Sequence, residues 1–146
     1  MRLLVQRVKM ASVAVDGQII SHIRKGLLVF IGIGHNDTER HAQYLAKKVV
    51  NLRIFDDDEG KMNLSVKDIK GEILLISQFT LYADIHRGNR PGFSDSAPHE
   101  KANLLYEYFK DSLNKLGVAT QTGRFGALMD VELLNFGPAT FILERE

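Results

Sequence analysis

The 146-residue chain lacks several features that would indicate a function directly. It has no cysteine, which excludes disulfides, thiolate nucleophiles and cysteine-ligated metal sites. It also lacks an excess of charge of either sign, because 19 Lys and Arg face 18 Asp and Glu and leave a net charge of +1. Any binding of nucleic acid must therefore depend on a local basic patch.

Apolar runs of membrane length are missing too. A bilayer span needs roughly 20 apolar residues, and Leu3-Leu4-Val5 near the N-terminus is cut short by Gln6-Arg7, unlike the core of a signal peptide. With 45% hydrophobic and 25% charged residues, the chain has the composition of an ordinary globular protein. We therefore predict one domain over residues 1–146, with a cytoplasmic location and no membrane contact.

Metal-binding patterns are also absent. The five histidines include no pair at the spacing of H-E-x-x-H. The acidic turn Asp56–Gly60 resembles part of a calcium loop, but no Glu stands at the offset that such a loop requires. We therefore predict that the protein holds no metal and no other cofactor.

Hydrophobic periodicity predicts two helices and about eight strands. The first helix is predicted to begin at Asn36 or Asp37, and the second to span about Pro98 to Leu116 with Ser96 as its cap. No regular βαβ repeat is visible, so we expect an α+β fold, with a mixed or antiparallel curled sheet or barrel-like core and two main helices. The strands are predicted at residues 2–9, 11–15, 18–23, 27–31, 73–76, 118–123, 129–134 and 139–145, with a short edge strand in addition at 61–65.

A short glycine pattern follows the apolar strand at 27–31. Gly32-Ile33-Gly34 contains the first two glycines of a phosphate loop, but the third glycine is missing. This pattern is weak evidence for phosphate binding, and a turn that leads into a helix is the better interpretation.

A polar stretch, Ser77-Gln78-Phe79-Thr80-Leu81, closes the predicted buried strand at 73–76. The carboxyl end of a strand is a frequent location for a functional site. No glycine flanks Ser77, so the nucleophile turn of serine hydrolases is absent. Taken alone, these five residues favour a structural role, in which the hydroxyls bind neighbouring backbone.

The segment from Ala83 to Pro98 has no periodicity and is long for a loop inside a domain, which is typical of functional loops. It carries the basic cluster His86-Arg87-Gly88-Asn89-Arg90. His86, Arg87 and Arg90 are the best candidates for phosphate contacts. An ordinary basic surface loop explains them equally well.

A second motif, Asn135-Phe136-Gly137-Pro138-Ala139-Thr140, changes this balance. Together with Ser77–Leu81 it resembles the D-aminoacyl-tRNA deacylase family (D-tyrosyl-tRNA deacylase), and Val5-Gln6-Arg7-Val8 looks like the opening strand of that family. The resemblance covers essentially the whole chain. One position departs from the pattern, since Ala139 stands where the family often has valine.

The resemblance implies an activity and a set of site residues. It implies hydrolysis of the ester that joins a D-amino acid to the 3′ end of tRNA, without a metal, by a homodimer with active sites at its interface. The residues implied are Ser77, Gln78, Phe79 and Thr80 as the catalytic group, Gly137 and Pro138 as a cis pair inserted into the partner's pocket, Asn135, Ala139 and Thr140 as their support, and Arg7 as a further candidate for tRNA contact.

The ester is activated, so we expect the protein to supply orientation and an oxyanion site rather than a strong nucleophile. Backbone N–H groups near Phe79 would hold the oxyanion, and Thr80 would orient water or the ester. Ser77 and Gln78 would bind the terminal adenosine. The paired Gly137-Pro138 carbonyls would exclude an L side chain, so esters of D-amino acids and of glycine should both be cleaved.

Two alternatives remain open at this point. The same fold can serve as a dimeric nucleic-acid-binding module without catalysis, which also accounts for the basic loop at 86–90. A hydrolase of small esters leaves that loop unexplained.

Overall fold

The computed structural model describes residues 1–146 as eight strands, two helices and a short 3-10 turn, which confirms the α+β fold predicted above. The helices are α1 (Glu39–Val50) and α2 (His99–Lys115), and the 3-10 turn covers Phe79–Tyr82. The strands are β1 (Arg2–Val15), β2 (Gln18–Ile23), β3 (Gly26–Gly32), β4 (Phe55–Asp56), β5 (Met62–Leu64), β6 (Glu72–Ser77), β7 (Ala119–Thr122) and β8 (Asp130–Glu144).

The long strand β1 is the centre of the main sheet. One of its edges pairs with β8 over almost its whole length, and the other edge pairs first with β3 and then with β2. Strands β6 and β7 continue the sheet beyond β3 as parallel neighbours. The sheet curls until β2 returns to β7, where Ser21 Oγ donates to Thr122 O at 2.6 Å. The result is a nearly closed, barrel-like sheet.

Two apolar clusters fill the structure, one on each face of this sheet. The larger cluster has 22 buried residues and lies between the sheet and both helices. The smaller has 7 buried residues inside the curl. Each helix carries an apolar stripe at three- and four-residue spacing, and both stripes face the larger cluster. They comprise Ala42, Leu45, Ala46 and Val49 of α1 and Leu105, Phe109 and Leu113 of α2.

The helix caps differ from the predicted ones. Helix α1 begins at Glu39 instead of Asn36 or Asp37, and it is capped by Thr38, whose capping box is completed by His41. Ser96 does not cap α2, since Pro98 occupies the N-cap position without a side-chain bond. The Ser96 hydroxyl donates instead to Phe79 O at 3.1 Å, a contact with a distant part of the chain that local spacing does not predict.

Two pairs of predicted strands are each continuous. Residues 2–9 and 11–15 form the single strand β1, and the predicted strands 129–134 and 139–145 merge into the single strand β8, which covers residues 130–144. The two long strands pair with each other before and after residues 136–139, so each continues as one strand where the local pattern predicted a break. No helix of the structure combines the length and the hydrophobicity needed to cross a membrane.

The buried and exposed faces of α2 predict different effects of substitution on the free energy of unfolding. Phe109 is fully buried, whereas Leu104 on the same helix is 72% exposed. Phe109→Ala should lower the free energy of unfolding by about 3–5 kcal/mol, because it leaves a cavity in the larger cluster. Leu104→Ala is the matched control and should change it by about 0.5 kcal/mol or less. Urea denaturation measures both values, and equal losses would contradict the assigned packing.

Candidate active site

The Ser77–Leu81 stretch lies where the parallel part of the sheet ends. Strand β6 runs between β3 and β7 and ends at Ser77. Gln78 N–H donates to Ile31 O at 2.8 Å, and the chain then turns into the 3-10 segment. No residue of that segment is buried. The polar residues therefore stand at the surface on a short turn that the sheet edge supports.

The turn presents adjacent backbone donors. Its first hydrogen bond runs from Leu81 N–H to Gln78 O at 3.2 Å. The N–H groups of Phe79 and Thr80 precede that bond, so the turn itself offers them no acceptor. Two neighbouring N–H donors of this kind suit an oxyanion.

The hydroxyl of Thr80 has a defined partner. Gln78 Nε2 donates to Thr80 Oγ1 at 2.5 Å. The Thr80 oxygen therefore acts as an acceptor within the turn, which leaves its own proton to be donated elsewhere. A neutral amide cannot remove a proton, so this contact orients Thr80 without activating it as a nucleophile.

A cavity of about 530 Å³ opens beside the start of the turn. Phe79 is 58% exposed at its rim, and its ring meets Phe93 edge to face with centroids 5.0 Å apart. The volume falls in the range of small-molecule sites, and most of the lining is apolar or aromatic. The lining includes Ser77, Gln78, Phe79, His99, Phe125 and Met129.

The Gly137-Pro138 segment is a bulge in the β1–β8 ladder. Gln6 pairs with Thr140 and Val8 with Asn135, so the single residue Arg7 faces the four residues 136–139. The extra residues protrude from the sheet, and both Gly137 and Pro138 are exposed. The Gly137–Pro138 peptide bond is cis, as the resemblance implies.

Asn135 closes the base of this bulge. Its Oδ1 accepts Ala139 N–H at 2.8 Å, and its Nδ2 donates to Thr140 Oγ1 at 3.0 Å. Gln6 Nε2 donates to the same Thr140 oxygen at 3.3 Å. The supporting residues predicted from the motif therefore bond to one another, with Asn135 as their centre.

Arg7 holds the bulge from the opposite strand. It is 4% exposed, and its Nε and Nη1 donate to Phe136 O at 2.9 Å and to Ile54 O at 2.6 Å. Its Cζ also lies 4.9 Å from the centre of the Phe136 ring. This corrects the expected orientation of Arg7, because its guanidinium points inward to backbone carbonyls and not outward to a phosphate.

The other basic candidates lie on an exposed hairpin. Asp84 and Gly92 exchange backbone hydrogen bonds of 2.8 and 2.9 Å, which close the loop that carries Arg87 and Arg90. The side chain of His86 is 92% exposed, and its Nδ1 lies 2.8 Å from Asp84 Oδ1. The backbone N–H of His86, and then its ring, hold the pKa of Asp84 below its usual value. The closed loop thus presents solvent-facing basic side chains.

Within one chain, the two motifs do not share a pocket. No residue from 135 to 140 lines the cavity beside Ser77 and Phe79. No group of three or more His, Asp or Glu side chains is gathered at a common point that would suit a metal ion.

The sequence did not predict a role for two residues behind the turn, Arg2 and Tyr82. The only signal for them was the pair of glycines at 32 and 34, which was interpreted as part of a turn.

The inward position of Arg7 predicts a stability effect. Arg7→Met should lower the free energy of unfolding by about 2–3 kcal/mol, because the carbonyls of Phe136 and Ile54 lose a charged donor. Arg87→Met removes an exposed arginine and should cost about 0.5 kcal/mol or less. Urea denaturation tests the pair. A stable Arg7→Met protein with weakened tRNA binding would restore the phosphate-contact role.

Comparison with known proteins agrees with this geometry. A family model described as D-Tyr-tRNA(Tyr) deacylase matches residues 4–144. A D-aminoacyl-tRNA deacylase of Thermosipho melanesiensis is 58% identical, with 100% of this chain and 98% of that protein covered. One from Bacillus cereus is 53% identical, and the match covers 100% of both chains.

Two solved structures are also similar. One, described as a c-Myc DNA Unwinding Element Binding Protein, has a TM-score of 0.96 at 41% identity and covers 100% of this chain and 99% of its own. A second, described as a probable eukaryotic D-amino acid tRNA deacylase, has a TM-score of 0.83 at 15% identity over 97% of each chain, which supports the fold. This chain belongs to the D-Tyr-tRNA(Tyr) deacylase family.

Proposed function

We propose that this protein hydrolyses the ester bond of D-aminoacyl-tRNA in the cytoplasm and releases a free D-amino acid and tRNA. The observation that carries the proposal is the exposed turn with two backbone donors and an oriented Thr80, which lies beside a nucleoside-sized cavity in a chain of this family.

The reaction needs placement more than a strong nucleophile, because the substrate is an activated ester. Water attacks the carbonyl carbon, and the N–H groups of Phe79 and Thr80 stabilise the oxyanion that forms. The acyl carbon–oxygen bond then breaks, and the 3′ oxygen of the ribose leaves with a proton. The neighbouring 2′-hydroxyl of the substrate assists the attack, while the Thr80 hydroxyl, oriented by Gln78, holds water or the ester in line.

The cavity beside the turn would receive the terminal adenosine. Ser77 and Gln78 line it on the side of the turn, and the rings of Phe125 and His99 line it on the side of α2. An apolar slot with aromatic walls suits an unpaired base, since single-stranded RNA is commonly held by stacking. The ester at the 3′ end would then reach the donors of the turn.

The Gly137-Pro138 bulge would act in the partner subunit of a homodimer. Within its own chain it lies apart from the cavity, yet it is exposed and firmly held by Asn135 and Arg7. Inserted beside the partner's turn, its carbonyls would occupy the space that an L side chain needs. Selectivity would then come from exclusion, so D-amino acids and glycine are both accepted.

Contact with the body of the tRNA would come from the basic hairpin. Arg87 and Arg90 are exposed, and the loop is ordered by the Asp84–Gly92 pair. The near-neutral net charge of +1 means that few such contacts are available. Binding should therefore be weak and only modestly dependent on salt.

The direct test is deacylation of D-, L- and glycyl esters on the same tRNA. We expect the D-aminoacyl and glycyl substrates to be cleaved and the L-aminoacyl substrate to be rejected by about 10³-fold, which corresponds to about 4 kcal/mol in activation free energy. Spontaneous hydrolysis of each ester is the control. Cleavage of the L ester as fast as the D ester would contradict selection by exclusion.

The orienting role of Thr80 gives a second prediction. Thr80→Ala should lower the deacylation rate by about 10- to 100-fold, or about 1.4–2.7 kcal/mol, because the oxyanion donors are backbone groups that remain. Single-turnover kinetics measure the loss. An acyl-Thr80 species trapped from the wild-type protein would show covalent catalysis instead.

The same variant tests whether the site is shared between subunits. Gly137→Ala should also lower the rate, because the added Cβ lies 2.6 Å from Arg7 Nη2 and the φ of +131° is one that L side chains rarely adopt, so the Arg7 contact or the bulge must shift. When the two variants are co-expressed, about a quarter of the wild-type rate should return, since about half of the dimers are mixed and each has one intact site of two. No recovery in dimers shown to be mixed would place the bulge outside the partner's site.

A second candidate function is nucleic-acid binding without catalysis. It is favoured by the similarity to the solved structure described as a c-Myc DNA Unwinding Element Binding Protein, at 41% identity. Binding of DNA duplexes and of uncharged tRNA, measured by fluorescence anisotropy beside the deacylation assay, separates the two functions. Tight DNA binding in a protein that cleaves none of the three esters would favour the binding module.

A further inference from the structure

The two glycines of Gly32-Ile33-Gly34 pack directly against the Phe79–Tyr82 turn. A Cβ built on Gly32 would lie 2.8 Å from Leu81 Cβ and 3.1 Å from Gln78 O. A Cβ on Gly34 would lie 2.8 Å from the ring of Tyr82. Both contacts are too close for any side chain, so the turn rests directly on the bare backbone that extends β3.

Arg2, at the start of β1, holds the same turn. Its Nη1 donates to Leu81 O at 2.9 Å, and its Cζ lies 4.6 Å from the centre of the Tyr82 ring. Its Nε also forms an ion pair of 3.1 Å with Glu144 at the end of β8. The Arg2 guanidinium thus connects the start of β1 to the carboxyl end of the turn, while its ion pair with the half-exposed Glu144 is screened by solvent.

Tyr82 links the turn to a buried carboxylate. Its hydroxyl donates to Asp37 Oδ2 at 3.3 Å. Asp37 is 4% exposed and also accepts Gly34 N–H at 2.6 Å and the α-ammonium of Met1. Burial first, and then the charge of Asp37, raises the pKa of Tyr82, so its phenol remains a donor at neutral pH. The carboxylate has three donors around it and is therefore a rigid anchor.

We propose that Gly32, Gly34, Arg2 and Tyr82 form a buttress that fixes the orientation of the Phe79–Tyr82 turn, which makes Arg2 and Tyr82 positioning residues for the deacylation. The inference rests on the proposed function. The turn is exposed on its outer side, so its inner contacts must set the direction of its N–H groups and of Thr80. Rotation of the turn would misalign the donors with the oxyanion even if substrate still bound.

The hydroxyl of Tyr82 and the guanidinium of Arg2 can be removed separately. Tyr82→Phe keeps the ring packed against Gly34 but removes the hydrogen bond to Asp37. It should therefore lower kcat about 10-fold with KM nearly unchanged. Arg2→Met should have a similar effect, and Arg2→Lys should recover part of the rate. Glu144→Gln is the matched control, since it removes the ion pair of Arg2 and leaves the donor to Leu81 O, and it should keep the wild-type kcat.

The packing of the glycines against the turn is tested with a second pair of variants. Gly34→Ala places a methyl group against the Tyr82 ring and should lower kcat more than 10-fold. Gly17→Ala in the turn between β1 and β2 is the control, because its Cβ would meet nothing within 4 Å, and it should leave kcat unchanged although its φ of +77° lowers the melting temperature. Melting temperatures of all variants separate misplacement of the turn from loss of the fold.

Hydrogen exchange reports the buttress independently of activity. The amides of Leu81 and Ala83 bond to Gln78 O and Thr80 O within the turn. They should exchange faster in Tyr82→Phe and Arg2→Met than in the wild-type and Glu144→Gln proteins. Unchanged exchange and unchanged kcat in both variants would overturn the inference, as would an equal loss of kcat in Glu144→Gln. If the wild-type protein cleaves no ester, the proposed function fails, while the exchange rates still decide the buttress.

Discussion

The pairing of β1 along both of its edges is the constraint on which the structure depends. This one strand bonds to β8 on one side and to β3 and β2 on the other. It also carries two arginines that reach the two motifs. Arg2 at its start donates to the turn of Leu81, and Arg7 farther along donates to the Gly-Pro bulge at Phe136. Strand β1 therefore sets the positions of both segments relative to the same sheet.

The two segments are held in different ways, which fits their proposed roles. The Gly137-Pro138 bulge is secured at its base by side chains, with Asn135 and Arg7 as its anchors, and its tip is exposed. The Phe79–Tyr82 turn rests on glycine backbone and is open on its outer side. A protruding, firmly held element and an open turn are complementary, as the proposed site between two subunits would require.

The proposed chemistry explains why placement would dominate this site. An activated ester has a low barrier to hydrolysis, so in the proposed mechanism fixed donors and an oriented water would supply the stabilisation that the reaction needs. The partner of Thr80 is the amide of Gln78, which orients a hydroxyl and cannot deprotonate it. In that mechanism, contacts that set the direction of the turn would matter more than any single reactive group.

The sequence by itself determined the helices, most of the strands and the two motifs, because these depend on local periodicity and on short patterns of residue types. The tertiary structure decided what depends on residues far apart in the chain. It turned Arg7 inward to Phe136 O, 129 residues away, and it redirected Ser96 from the helix cap to Phe79 O. It also placed Gly32 and Gly34 in close contact with Leu81 and Tyr82, which their spacing did not predict. A local pattern carries no record of which distant backbone will approach it, so only the folded chain reveals those contacts.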